Sequence, residues 1–308
     1  MKEKIRNILL DSGAVKVGFA QAGEIDSDVN ESYSRWVEKG YNGEMGYLQR
    51  HIPLRKHTDN VLPEASSVIS LAFSYAQTDW RSSRLPLIAA YAYGEDYHIV
   101  LREILQPVVK SLQKEFGGKW RICIDSAPVA ERYWAMKSGI GKRGLNGSII
   151  VDGCGSFCFL VEILTTIKIE PDISTCENCE GCGNCVRVCP GKALLGDGTI
   201  DATRCVNYLT IEKRDDFTPE EIEILKKDKG FIFGCDRCLR VCPHNKHIFP
   251  TAIENFLLKD DIKYLSPEKL ISLDELQFKK QFSRSPLSYA GLSRLKRNIN
   301  SFLSNSGK

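Results

Sequence analysis

Apolar and polar residues along the first half of the chain follow two patterns, short apolar runs and helical stripes. The apolar runs predict strands over residues 14–20, 67–76, 87–93, 120–125, 148–151 and 156–169. Between them, a predicted helix from Tyr97 to Phe116 carries an apolar stripe at Val100, Ile104, Val108 and Leu112. A second helix is predicted over residues 127–138. The alternation of helix and strand signals therefore indicates an α/β layout.

Helix signals dominate the second half of the chain. Thr218 and Glu221 form a predicted capping box at the start of one helix, and Gly230 marks its end. Pro219 suits the first turn of the same helix, because its missing N–H would have no partner there. From Tyr264 onward helical spacing persists, with one apolar stripe at Leu292, Leu295, Ile299 and Phe302.

Composition places the chain among globular proteins outside the membrane. It has 308 residues, of which 43% are hydrophobic and 26% charged. No apolar run approaches the roughly 20 residues of a membrane helix, and the N-terminal MKEKIRNILLDSG lacks the apolar core of a signal peptide. We therefore expect a cytoplasmic protein without a membrane partner. Nothing in the pattern indicates an obligate oligomer, so we expect a monomer.

Charge is unevenly distributed, although the net charge is only +3. No acidic residue follows Glu275, whereas lysines and arginines continue to the C-terminus. A basic helical face can neutralise the phosphates of RNA. The candidate RNA contacts are Arg284, Arg294, Lys296 and Arg297. The alternative is that this charge run is only a solvated surface.

The cysteines carry the most specific pattern in the chain. The stretch CENCEGCGNCVRVCP contains one C-x2-C-x2-C-x3-C-P frame, which comprises Cys179, Cys182, Cys185, Cys189 and Pro190. That frame is typical of bacterial two-cluster ferredoxins, in which the fourth cysteine binds the other cluster. A second stretch, CDRCLRVCP, repeats the end of the pattern at Cys235, Cys238, Cys242 and Pro243. Ile232 occupies the position of its missing first cysteine, so Cys205 is the substitute.

These spacings predict two [4Fe-4S] clusters with crossed ligands. The ligands of cluster one are Cys179, Cys182, Cys185 and Cys242. The ligands of cluster two are Cys189, Cys205, Cys235 and Cys238. The alternative is a pair of structural zinc sites with four cysteines each. We expect Cys123, Cys154 and Cys158 to be small buried residues, and Cys176 has no assigned role.

Several blocks of the chain resemble the epoxyqueuosine reductases, cobalamin-dependent iron–sulfur enzymes of tRNA modification. The core of that family is similar to that of corrinoid reductive dehalogenases. The blocks are GEMGYLQRHIPLR (43–55), LPEASSVISLAFSY (62–75), YAYGEDYH (91–98), DSAPVAERYWAMKSGIGKRGLNGSIIV (125–151) and RCVNYLTIE (204–212). The resemblance implies reduction of epoxyqueuosine to queuosine at the wobble position of tRNA, the final step of queuosine biosynthesis.

The resemblance also implies an α+β fold in three parts. Residues 1–168 would form an α/β-type cobalamin-binding catalytic domain, and residues 169–250 a ferredoxin-like domain with two [4Fe-4S] clusters. Residues 251–308 would form a helical-repeat-like segment that contacts tRNA carrying epoxyqueuosine. Electrons would come from an external donor, such as a reductase, a flavodoxin or a ferredoxin.

Asp125 is the candidate catalytic residue. It ends an apolar strand and precedes Ser126-Ala127-Pro128, which favours a turn, and a carboxyl at such a strand end often faces a ligand cleft. By resemblance Asp125 is the proton donor to the departing epoxide oxygen. A desolvated carboxylic acid with a raised pKa suits that role. The alternative is that Asp125 only caps the following helix.

The candidate cobalamin contacts come from four places in the sequence, and the resemblance assigns them. The turn SGIGKRGLNGS keeps backbone free to approach a large flat ligand, or it is an ordinary loop. The candidates are Arg55, Tyr97, His98, Gly139, Gly141, Gly144, Asn146, Gly147, Ser148, Asn207 and Tyr208. A lone histidine is more often a core or capping residue than a metal ligand, and no cobalt ligation is assigned to His98.

Two rival functions differ in class from this one. A corrinoid dehalogenase would act on a small halogenated molecule, and the basic C-terminal end argues against it. A ferredoxin-type electron carrier would be no enzyme, and the large segment before the cysteines argues against it, because a small ferredoxin needs only about 60 residues.

Overall fold

The computed structural model describes residues 1–77, 87–174, 177–228 and 230–303. The strands are β1 (Lys16–Gln21), β2 (Ser67–Ser74), β3 (Leu87–Ile88), β4 (Trp120–Cys123), β5 (Lys142–Arg143), β6 (Ile149–Ile150), β7 (Cys158–Thr165) and β8 (Phe231–Phe233). The helices of the first half are α1 (Lys2–Asp11), α2 (Ser27–Glu38), α3 (Gly46–Arg50), α4 (Ile52–Arg55), α5 (Tyr97–Phe116) and α6 (Glu131–Lys137). Those of the second half are α7 (Asn184–Val188), α8 (Val206–Ile211), α9 (Pro219–Asp228), α10 (Arg237–Arg240), α11 (Asp260–Lys263), α12 (Pro267–Ser272), α13 (Glu275–Phe282) and α14 (Leu287–Leu303). Cys176 lies outside the described residues.

The main sheet has the strand order β1-β2-β7-β4, and each neighbouring pair is antiparallel. Every residue of β2 is buried, because helices and the second half of the chain cover the sheet. Helices and strands alternate along the sequence, yet the sheet that they build is antiparallel. This combination of helices with an antiparallel sheet confirms the predicted α+β class.

Two local predictions in the first half have different outcomes. The helix predicted from Tyr97 to Phe116 is confirmed with the same bounds. The strand predicted over residues 87–93 is wrong beyond Ile88, because the chain forms a 3-10 turn at Ala90–Ala92. The buried carboxylate of Asp236 accepts the Ala90 N–H at 2.7 Å. The Ala90 N–H therefore has a side-chain acceptor instead of the carbonyl of a neighbouring strand.

The cysteine-rich segment is joined to the first half by backbone pairing. Strand β3 of the first half pairs in parallel with β8 of the cysteine-rich segment. Because this small sheet crosses the predicted boundary at residue 168, the division into domains at residues 168 and 250 stays a prediction. The capping box that opens α9 is confirmed, since Thr218 Oγ1 accepts the Glu221 N–H at 3.3 Å. In return, the Glu221 carboxylate accepts the Thr218 N–H at 2.8 Å. No helix in the described ranges is long and apolar enough to span a membrane.

Helix α14 fixes the C-terminal part to the cysteine-rich segment. Its predicted apolar stripe is buried, and the stripe comprises Leu292, Leu295, Ile299 and Phe302. Asn298 on the same helix is 1% exposed and donates to the carbonyls of Thr210 and Ile232, both at 2.8 Å. One side chain therefore satisfies buried carbonyls at the end of α8 and within β8.

Replacing Asn298 with alanine should lower the free energy of unfolding by about 2–4 kcal/mol, since two buried carbonyls lose their donor. Urea denaturation of the variant measures the change. Ser293→Ala on an exposed face of α14 is the matched control and should stay within about 0.5 kcal/mol of the wild type. Equal stability of the two variants would contradict this role of Asn298.

Candidate active site

Asp125 lies just beyond the end of β4, in a backbone conformation that is rare for a side-chain-bearing residue. Its φ angle is +51°, a conformation that costs of order 1–3 kcal/mol and persists only where the surroundings impose it. The Glu131 carboxylate at the start of α6 accepts the Asp125 N–H at 2.6 Å. This contact shows how the first turn of α6 holds the strained residue in place.

The Asp125 carboxylate is held by two side chains at the start of α5. Tyr97 Oη donates to Asp125 Oδ2 at 2.7 Å, and His98 Nε2 is 3.5 Å from the same oxygen. His98 Nδ1 faces Asp96 Oδ1 at 2.8 Å, and Asp96 also caps the helix. The Tyr97 ring stacks on Phe159 with centroids 4.3 Å apart. Asp125 therefore sits in a rigid polar frame built by β4, α5 and α6.

The pKa of Asp125 is lowered, whereas the sequence led us to expect a raised value. The Asp125 side chain is 61% exposed, but the protein atoms around it partly desolvate the carboxylate, which by itself would favour the neutral acid. Hydrogen bonds from His98 and Tyr97 outweigh this desolvation and lower the pKa of Asp125. Burial lowers the pKa of His98, but its bonds to Asp125 and Asp96 dominate and raise it to about 9. At neutral pH the proton therefore resides on His98.

The carboxyl with the raised pKa is Glu131, which sequence reasoning missed. Burial and the nearby Asp125 charge raise the pKa of Glu131 to about 8. Glu162 lies behind it on β7, is fully buried and has no hydrogen-bond partner among the described residues. Burial raises the pKa of Glu162 well above its usual value. Only the position of Glu131 at the predicted start of a helix, shortly after Asp125, could have pointed to it.

The Glu131→Gln variant should lose part of the pH dependence of stability. The unfolded chain releases the Glu131 proton near pH 4.5, whereas the folded chain keeps it up to about pH 8. Stability of the wild type therefore falls as pH rises through that window. The groups that face Glu131 are Asp125, Arg132, Arg55 and Glu162, and all of them remain in the variant.

Thermal melts at pH 5 and pH 8 measure this effect. The melting temperature of the wild type should drop between the two values by at least about 2 °C more than that of Glu131→Gln. Parallel curves for the two proteins would contradict the raised pKa of Glu131.

Around Arg55, whose charge acts on Glu131, the structure contains buried polar atoms without partners. Arg55 Nε and His51 Nδ1 are buried and have no hydrogen-bond partner in the described part of the chain. The Arg55 guanidinium lies over the Tyr33 ring, 5.1 Å from its centroid. Buried unpaired donors and acceptors are rare in proteins. These unpaired atoms therefore fit a polar ligand, such as the amide-bearing rim of a corrin.

The glycine turn lies beside the first group of cysteines. Gly144 and Asn146 line the same cavity as Cys179 and Cys182, and Ser148 accepts the Gly144 N–H at 2.8 Å. The backbone around Gly139, Gly141 and Gly147 is also closely packed, since an added Cβ would meet neighbouring atoms at 2.6 to 3.0 Å. Corrin contact by this turn stays a prediction.

Asn207 and Tyr208 follow Cys205 on α8. Tyr208 is buried, and its hydroxyl oxygen accepts the Glu44 N–H at 2.9 Å. Asn207 Oδ1 lies near Gly234, 3.4 Å from where a Cβ would be. The structure thus uses Tyr208 to dock the segment around Glu44, and its contact with cobalamin stays a prediction.

The cysteines form two groups in space. One cavity is lined by cysteines of both sequence stretches, namely Cys179, Cys182, Cys185 and Cys242. In the other group, burial raises the pKa of Cys238, and the charges of Cys205 and Cys189 raise it further. Burial also raises the pKa of Cys235, and the charges of Cys205 and Cys238 add to that increase. These neighbours are compatible with the crossed ligand sets of two cubane clusters, and that assignment stays a prediction.

Three further cysteines lie in or near the core. Cys123 and Cys154 are buried, whereas Cys158 is partly buried.

The four predicted RNA contacts already bind other groups of the chain. Arg284 pairs with Glu95 at 2.6 Å and Glu103 at 2.9 Å. The other three basic residues donate to backbone carbonyls of the chain, and they are Arg294, Lys296 and Arg297. Their role in tRNA binding stays a prediction, and each has a partner within the chain.

Two family models match the chain. Residues 178–245 match the 4Fe-4S double cluster binding domain, and residues 55–126 match the DUF1730 domain of epoxyqueuosine reductase QueG. This establishes residues 178–245 as a domain for two [4Fe-4S] clusters, in preference to structural zinc sites.

Curated and solved proteins agree with these matches over nearly the whole chain. Epoxyqueuosine reductase of Cyclobacterium marinum is 36% identical over 93% of both chains. The Escherichia coli protein is 34% identical over 92% of this chain and 77% of its own length. The solved epoxyqueuosine reductase of Streptococcus thermophilus superposes with a TM-score of 0.89 at 28% identity, covering 100% of this chain and 82% of that one. A crystal structure of epoxyqueuosine reductase with an epoxyqueuosine-modified tRNA-Tyr stem loop gives 0.88 at 27% identity, with 98% and 80% coverage.

The fold, the double-cluster domain and the carboxylate site around Asp125 define an iron–sulfur oxidoreductase. The chain belongs to the epoxyqueuosine reductase family.

Proposed function

We propose that this chain reduces epoxyqueuosine to queuosine at the wobble position of tRNA. The observation that carries the proposal is Asp125, whose carboxylate Tyr97 and His98 hold in a chain that also has a double-cluster domain. A relative of similar fold is known with an epoxyqueuosine-modified tRNA stem loop. No observation favours a small halogenated substrate or a carrier without catalysis.

The chain's residues fit two kinds of redox group. The eight grouped cysteines would hold two [4Fe-4S] clusters, which supply electrons one at a time. Arg55, Tyr97 and His98 would border cobalamin, and the unpaired Arg55 Nε suits its amide groups. When bound, cobalamin supplies a low-valent cobalt centre able to reduce a carbon–oxygen bond.

The chain itself supplies the proton. Removing the epoxide oxygen consumes a pair of electrons and protons and releases water. His98 keeps a proton at neutral pH because its pKa is about 9, and its Nε2 lies 3.5 Å from Asp125 Oδ2. Asp125 passes this proton to the departing oxygen while Tyr97 orients its carboxylate, and the second proton comes from solvent, to which the Asp125 side chain is open. The pair thus acts as a general acid although the pKa of Asp125 is low.

Partners and location are parts of the same proposal. Electrons enter from an external reductase, flavodoxin or ferredoxin, and the exposed Cys182 marks the side of cluster one that a donor can approach. The chain works as a monomer in the cytoplasm, where its thiolates are kept reduced.

Anaerobic incubation with cobalamin, a strong reductant and tRNA bearing epoxyqueuosine tests the proposal. Mass spectrometry of the digested RNA should show loss of one oxygen from the modified base, and only when cobalamin is present. An unchanged base, with the clusters and cobalamin shown to be bound, would overturn the proposed substrate.

A further inference from the structure

A groove of about 500 Å³ runs between α5 and the edge strand β4. Its lining includes Ser126, Ala127 and Pro128, the turn that directly follows Asp125. The groove therefore borders the turn that carries the candidate proton donor. None of the site residues discussed above lines it.

The lining of this groove is basic and contains no carboxylate among the residues described for it. Helix α5 contributes Arg102, Gln106 and Lys110, which are four residues apart and so share one helix face. Arg121 of β4 also borders the groove, but its guanidinium donates to the Val61 carbonyl. The groove thus offers positive charge and amide donors, the groups that bind phosphate oxygens.

The charges of Arg102 and Lys110 are not neutralised within the molecule. Neither side chain has an ion-pair or hydrogen-bond partner in the described ranges, and both residues are exposed. Arg284 nearby is different, because Glu95 and Glu103 take up its guanidinium. An uncompensated basic groove beside a catalytic residue attracts a polyanion.

We propose that this groove binds the phosphodiester backbone of the RNA substrate, next to the nucleotide that reacts at Asp125. The inference rests on the proposed function and deepens it, because it moves the main RNA contact from the C-terminal basic residues to α5 and β4. Contacts to phosphate position the RNA without reading its sequence. Binding to the groove should therefore depend on salt and tolerate unmodified RNA.

The test uses the full chain with reconstituted clusters and an unmodified anticodon stem-loop RNA, so that no turnover is needed. Fluorescence anisotropy gives Kd over a range of NaCl concentrations. The Arg102→Glu/Lys110→Glu variant should bind at least about tenfold more weakly near 0.1 M salt, and its log Kd should depend on log salt with a slope smaller by about two. Arg102→Lys/Lys110→Arg should bind like the wild type, since the charges remain.

The matched control is Lys226→Glu/Lys227→Glu on the exposed face of α9, which makes the same change in net charge and should stay within about twofold of the wild type. Equal losses in the two charge-reversed proteins would overturn the groove assignment. Unchanged RNA affinity combined with slower cluster reduction by flavodoxin would also overturn it, and would assign the groove to a protein donor. If the wild type itself showed no salt-dependent RNA binding, the proposed function would fail together with the groove.

Discussion

Replacing Cys205 with alanine should remove one of the two clusters and abolish turnover. Cys205 belongs to neither compact cysteine motif, yet the predicted ligand set of cluster two includes it, and its charge raises the pKa of Cys235 and of Cys238. A cubane that loses one of its four thiolates is no longer held against dissociation. Iron should fall from about eight to about four atoms per chain, because the cavity lined by Cys179 and Cys242 is untouched.

Iron analysis and the visible absorbance of the reconstituted protein measure this loss. The matched control is Cys123→Ala, which removes a buried thiol from β4 and should keep the full iron content. Retention of about eight iron atoms by Cys205→Ala would show that the crossed assignment is mistaken and that another residue completes the second site.

Replacing Asp125 with alanine should lower kcat by about 10²- to 10⁴-fold, the usual contribution of a positioned general acid. The variant should still contain both clusters, since Asp125 contacts Tyr97, His98 and Glu131 rather than a cysteine. Alanine tolerates the positive φ angle of this position less well than aspartate does, but the strain falls on one exposed residue, so the fold should persist. Single-turnover rates with modified RNA measure the effect.

Asp28→Ala on the exposed surface of α2 is the control for removal of one carboxylate and should turn over normally. Activity of Asp125→Ala within about threefold of the wild type would be too small a loss for a proton donor. In that case Glu131 or His98 would have to deliver the proton without it.

Local signals explain which parts of the fold the sequence could predict. Helix α5 has a capping aspartate, an apolar stripe and a terminal glycine, and it forms with the predicted bounds. The capping box of Thr218 and Glu221 also depends only on neighbours along the chain. The antiparallel order of the main sheet and the turn at Ala90–Ala92 depend on distant partners, such as Asp236. Those partners have no local signature.

The same distinction holds for the site. Asp125 and the cysteines stand out because their spacing or position in a motif is specific. The direction of the Asp125 pKa was wrong because it depends on His98 and Tyr97, which reach it from another helix. Arg294 and Arg297 have the composition of an RNA-binding face, yet they donate to carbonyls of Ile211 and Asp215. A sequence gives the charge of such residues but not their partners.

The most direct test of the central claim is a single-turnover count of electrons against product. Protein with reduced clusters and bound cobalamin would be freed of excess reductant and mixed anaerobically with RNA bearing epoxyqueuosine. The account predicts that a pair of electrons leaves the protein for each base that loses its oxygen, with cluster absorbance and nucleoside mass changing together. Oxygen loss without electron consumption, or oxidation of the clusters while the base stays intact, would contradict it.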